Sequence, residues 1–136
     1  MGTASARPRI AIFMASVLII DDEAPIVDLI AEIVEERGHA VLRASNGVSG
    51  LALARAAHPD LIISDVMMPL LDGYALLRAL RSEPDLAHIA VVLVSAGFPR
   101  SGQRQSNPPA DAYLHKPFDI TAVESILDQL PLVHRA

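Results

Sequence analysis

An α/β fold, with about five parallel strands in a doubly wound sheet, is what this sequence predicts. Three observations carry that reading. Short β-branched, apolar runs alternate along the chain with stretches of helical periodicity. The strand-like runs are apolar at successive positions, as in a sheet covered on both faces. The length, 136 residues, suits one domain, and 51% hydrophobic residues with only 4% aromatics imply a core of Leu, Ile, Val and Ala.

The elements follow in order. Val17–Ile20 reads as a buried strand. Ile26, Leu29, Ile30, Ile33 and Val34 then recur at helical spacing, with Asp28, Glu32, Glu35 and Glu36 on the opposite face. Gly38 ends that helix. Ala40–Ala44 is a second strand, and Asn46 is the N-cap of an Ala-rich helix that runs toward His58-Pro59. Leu61–Ser64 is a third strand that ends at Asp65. After the Met67-Met68-Pro69 loop, Asp72-Gly73 opens a helix carrying Leu76, Leu77 and Leu80. Ile89–Val94 is the most hydrophobic strand and ends at Ser95; Asp111–His115 is a weaker one. Val123, Ile126, Leu127 and Leu130 mark a last amphipathic helix, capped by Asp119 or Thr121. Residues 1–14 read as an N-terminal extension, 15–131 as the domain and 132–136 as a tail.

Composition narrows the function. A net charge of −5 argues against a nucleic-acid partner, because phosphate backbones are held by clustered Lys and Arg. The absence of cysteine excludes disulfides and thiolate metal sites. The five histidines share no ligand spacing and read as surface or loop residues. The longest apolar run, Ile10–Ile20, is too short to span a bilayer and lacks a clear cleavage site after it. The expectation is a cytoplasmic protein with no membrane partner.

In doubly wound sheets, ligands bind beyond the carboxyl ends of the strands. Asp21-Asp22, Asp65, Ser95 and Lys116 all fall just after predicted strands. Three carboxylates, a hydroxyl and an ammonium therefore gather at one edge. Crowded carboxylates stay ionised only beside a cation, and a hard divalent ion such as Mg²⁺ suits an all-oxygen site. An aspartate is also a competent nucleophile toward phosphorus, giving an acyl phosphate. Ser95 can donate to a phosphoryl oxygen, and Lys116 can offset its charge. Taken singly, each residue has a plainer reading as a helix-end acid, a turn residue or a surface charge.

The segments LIIDDE (residues 18–23), DVMMPLLDGY (65–74), VSAG (94–97) and AYLHKPF (112–118) resemble the signature of the receiver domain of two-component response regulators. Their order and spacing agree with it over nearly all of residues 15–130. The resemblance implies the flavodoxin-like strand order 2-1-3-4-5 of a chemotaxis receiver. It implies Asp65 as phospho-acceptor, Asp22 as a direct Mg²⁺ ligand, and Asp21 as an acid acting on the metal mainly through water. It further implies that Met67 lends its backbone carbonyl to the metal. Ser95 and Tyr113 correspond to the switch pair, and Lys116 to the lysine that precedes a cis proline bond. A histidine kinase or phosphotransfer protein would be the phosphodonor, and a downstream effector protein the output.

One stretch departs from the pattern. Residues 98–109 carry Pro99, Gly102, Pro108 and Pro109 where receivers place a fourth helix. Gly and Pro cost about 1 and 3 kcal/mol in a helix interior, so a short or irregular helix is expected. Two other functions compete. One is a metal-dependent phosphatase using Asp65 as nucleophile, although Met67 cannot be the second acid such enzymes place two residues on. The other is a receiver-like binding module that takes no phosphate.

Overall fold

The computed structural model describes residues 15–96 and 108–130. The expectations for residues 1–14, for the tail 132–136 and for residues 98–107 of the irregular stretch fall outside them. Pro108 and Pro109 are described and are not helical.

Five strands form one parallel sheet in the order β2-β1-β3-β4-β5. They are β1 Ser16–Ile20, β2 Ala40–Ala44, β3 Leu61–Asp65, β4 Ala90–Ser95 and β5 Ala112–His115. The described helices are α1 Ala24–Glu36, α2 Gly47–Ala57, α3 Gly73–Ser82 and α4 Ile120–Gln129.

Alternation along each strand divides the core in two. Val17, Ile19, Ile63, Val92 and Val94 face Ile30, Val34, Val123 and Leu127 of α1 and α4. Leu18, Ile20, Ile62 and Leu93 face the other way, onto Ala54 of α2 and Leu76, Leu77 and Leu80 of α3. Each such Leu or Ile contributes about 1.5–3 kcal/mol on burial, which fixes the sheet's register.

Helix ends are set by local chemistry. Asn46, Asp72 and Asp119 accept from the backbone N–H three residues on, at 2.7, 2.8 and 2.9 Å. α1 has Glu23 at its N-cap without a side-chain bond and Pro25 in its first turn. It closes with Gly38 at φ 91°, where the N–H groups of Gly38 and His39 donate to Glu35 and Val34.

His115 ends β5, within the strand expected there, and His39 is a half-buried loop residue whose Nδ1 accepts from the Ala15 N–H at 3.2 Å. A ring nitrogen can meet a strand-edge N–H that has no ladder partner, a need that sequence spacing does not reveal.

Candidate functional site

β1 and β3 are adjacent, and their carboxyl ends deliver Asp21, Asp22 and Asp65 to one place. One oxygen from each carboxylate lies within 4.8 Å of those of the other two. Asp21 and Asp65 are buried and Asp22 is exposed, so the group opens on one side. Asp21 is oriented by the Glu23 N–H, which donates to its Oδ1 at 2.9 Å.

β5 brings Lys116 to the same edge. Its Nζ lies 3.4 Å from Asp65 Oδ1, 3.5 Å from Asp21 Oδ2 and 3.5 Å from Glu23 Oε2. The Lys116 N–H also donates to the Ser95 carbonyl at 2.8 Å, tying the ends of β4 and β5 together. The Lys116-Pro117 bond is cis, as the receiver resemblance implies. Sequence reasoning did not place Glu23 in the constellation; its distance from Lys116 shows it at the site.

The electrostatics follow from this packing. Burial pushes the Asp65 carboxyl above its ordinary value, neighbouring Asp21 adds to the rise, and Lys116 works against it. Burial also raises Asp21, opposed by the Glu23 N–H and by Lys116. Burial alone would depress Lys116; the Asp65 and Asp21 carboxylates outweigh it and hold the ammonium above its usual range. Among the described residues, the carboxylates of Asp21, Asp22, Glu23 and Asp65 outnumber the Lys116 ammonium and leave the pocket net negative. An all-oxygen, open-sided set of this kind suits a hard divalent cation.

The backbone behind Asp65 is closely packed. The Val66 N–H donates to Val94, and the Gly73 N–H to Val66. A Cβ on Gly73 would stand 2.7 Å from the Asp65 carbonyl oxygen, so only glycine lets α3 begin here. Ser95 ends β4, half-buried. Tyr113 lies on β5 two residues before His115, and its hydroxyl accepts from the Ala110 N–H at 2.9 Å. Met67 sits two residues past Asp65 with its side chain 72% exposed.

This is the site of a doubly wound domain in which acids from two adjacent strands and a lysine from the edge strand converge on one buried aspartate. Residues 17–128 match the response regulator receiver domain, and the chain belongs to that family. It is 36% identical over 110 residues to the protein PilH of Pseudomonas aeruginosa, covering 78% of this chain and 88% of PilH. It is 39% identical over 112 residues to RpaA of Synechocystis, a DNA-binding dual master transcriptional regulator. That match covers 79% of this chain but 45% of RpaA, so the chain spans under half of that relative's length. In structure it is similar to the chemotaxis response regulator CheY4 of Vibrio cholerae, with a TM-score of 0.79 at 27% identity, covering 85% of this chain and 98% of CheY4. The chain is therefore a receiver domain of the two-component response-regulator type. Among the described residues, no helix is long and apolar enough to cross a membrane.

Proposed function

We propose that Asp65 accepts a phosphoryl group from a phosphohistidine on a histidine kinase or phosphotransfer protein. The observation that carries this is the convergence of Asp21, Asp22, Asp65 and Lys116 within ion-pair or metal-ligand distance. In the step, an Asp65 carboxylate oxygen bonds to phosphorus while the P–N bond to the donor imidazole breaks and its electron pair stays on nitrogen. Asp22, Asp65 and the Met67 carbonyl are the proposed Mg²⁺ ligands, with Asp21 acting mainly through water. Bound there, Mg²⁺ supplies charge neutralisation for the phosphoryl oxygens. Lys116 takes one phosphoryl oxygen as a point charge. Ser95 donates to another, and Tyr113 follows its movement. The shape change then alters binding to a downstream protein.

Within this reading, residues 15–131 are the receiver unit and the protein acts in the cytoplasm. Without the second acid of a phosphatase, labelling from a phosphodonor is the chemistry expected, not turnover of phosphate esters.

The test is incubation with acetyl phosphate and Mg²⁺ followed by intact mass. Wild type should gain one phosphoryl group, and Asp65→Asn should gain none. Equal labelling of the two proteins would overturn the assignment.

A further inference from the structure

Glu23 stands at a helix start that its side chain does not serve. It is the N-cap of α1, a position where Ser, Thr, Asp or Asn is preferred because a short side chain accepts from the first free N–H groups. Asn46, Asp72 and Asp119 do this for the other described helices, but Glu23 makes no side-chain cap bond. Its carboxylate turns instead to Lys116, with Oε2 3.5 Å from Nζ. The Glu23 backbone is held on both sides: its N–H donates to Asp21, and its carbonyl accepts from Ile26 and Val27. The side chain therefore reaches Lys116 from a fixed base.

Lys116 is not committed to any one partner. Its Nζ lies 3.4 Å from Asp65 and 3.5 Å from both Asp21 and Glu23. A charge-assisted N–H···O bond settles at about 2.7–2.9 Å. The ammonium thus stands between three acids, and each holds it back from the other two. Asp21 and Asp65 are buried and belong to the acid group that could hold a metal. Glu23 is outside that group, and its side chain is 61% exposed. An exposed pair is the weakest of the three, so it is the one given up when a stronger anion arrives.

We propose that Glu23 is a positioning residue that tethers the Lys116 ammonium in the unphosphorylated protein, and so sets how readily Lys116 engages a phosphoryl group on Asp65. This rests on the phosphorylation reading above. A phosphoryl group on Asp65 places new anionic oxygens beside the ammonium. To pair with them at full strength, Lys116 must release Glu23. The tether opposes the phosphorylated form, and loosening it should favour that form.

The test measures the affinity of the Mg²⁺-loaded protein for beryllofluoride, a phosphoryl mimic, from amide chemical shifts along β4 and β5. The variants are Glu23→Asp and Glu23→Ala, each also made in a Lys116→Ala background. Glu23→Asp keeps the charge, but its shorter side chain reaches the α1 N–H groups and not Lys116, so it should melt no lower than wild type. Both variants should bind beryllofluoride about threefold more tightly than wild type, the size expected for an exposed ion pair. In the Lys116→Ala background Glu23→Asp should change nothing, because the residue through which Glu23 acts is gone. Tighter binding by Glu23→Ala alone would overturn the proposal, since Glu23 would then act only by its charge on the pocket. Affinity equal to wild type, or weaker, in both variants would overturn it too. So would a Glu23→Asp effect that survives in Lys116→Ala. Wild type that neither binds beryllofluoride nor is labelled by acetyl phosphate in Mg²⁺ would bring down the phosphorylation reading, and the tether with it, before any variant is compared.

Discussion

At the scale of single residues, the site is a balance between burial and pairing. As the proposed phospho-acceptor Asp65 must be ionised, yet burial and Asp21 both favour its protonated form. Lys116 is the described cation that opposes them, at 3.4 Å. The same ammonium is shared with Asp21 and Glu23, so the proposed phosphoryl group on Asp65 would redirect an existing set of ion pairs. Because the Lys116 N–H is bonded to the Ser95 carbonyl, that redirection would pull on the end of β4. Lys116→Ala should therefore still be labelled by acetyl phosphate but lose the transmitted response. Amide chemical shifts along β4 and β5, recorded with and without beryllofluoride, are the measure. A variant whose shifts there move as far as those of wild type would show that the signal does not pass through Lys116.

At the scale of elements, what was legible in the sequence is what local chemistry decides. The caps Asn46 and Asp72 could be read off because a short polar side chain before an apolar helical run has few other uses. For α4 the sequence left Asp119 and Thr121 open, and the bond to the Ala122 N–H selects Asp119. Asp119→Ala should cost about 1 kcal/mol, read as a lower urea midpoint at unchanged slope. An unchanged midpoint would mean that packing of Val123 and Leu127, not the cap, holds the helix start. Strand starts were less legible, since they are set by partners across the ladder. β1 begins at Ser16 and not Val17 because Ser16 pairs with Ala40 across the β1–β2 ladder; its N–H also donates to the Asp60 carboxylate at 2.8 Å, 44 residues away in sequence. The acids and lysine of the site were legible because each follows a strand. Glu23 was not, since only its distance to Lys116 places it at the site; nor was the φ of 73° at Leu70, in the loop after β3, because leucine carries no cue for a positive φ.

At the scale of the whole molecule, the parallel sheet separates two titratable regions. The acidic pocket lies beyond the carboxyl ends of the strands, and His39 with Ala15 lies at the amino ends of β1 and β2. Five residues of strand place them roughly 16 Å apart, far enough for their energetic effects to add. Mg²⁺ at the proposed metal site would bind only the folded chain and should raise the melting temperature; the gain is about 2.7 kcal/mol at a hundredfold excess over Kd. Asp22→Ala should remove that gain, and a wild-type melting temperature indifferent to Mg²⁺ would count against the metal site. At the other end, burial lowers the His39 pKa below 6.5; the nearby Arg37 lowers it further and Asp60 opposes the change. The neutral ring is the form whose Nδ1 accepts from Ala15, so the unfolded chain takes up the proton first as pH falls. His39 thus contributes stability that is complete above pH 6.5 and is lost as pH falls through that value toward its folded pKa. His39→Asn keeps an acceptor there but does not titrate. The stability advantage of wild type over this variant should shrink between about pH 8 and pH 5. The shrinkage should be the same in Mg²⁺ and in EDTA, measured by urea unfolding at each pH. A difference that ignores pH would show that the Ala15 bond does not depend on the neutral ring. A difference that changes with Mg²⁺ would show that the two ends of the sheet are coupled and that the domain does not respond as a rigid unit.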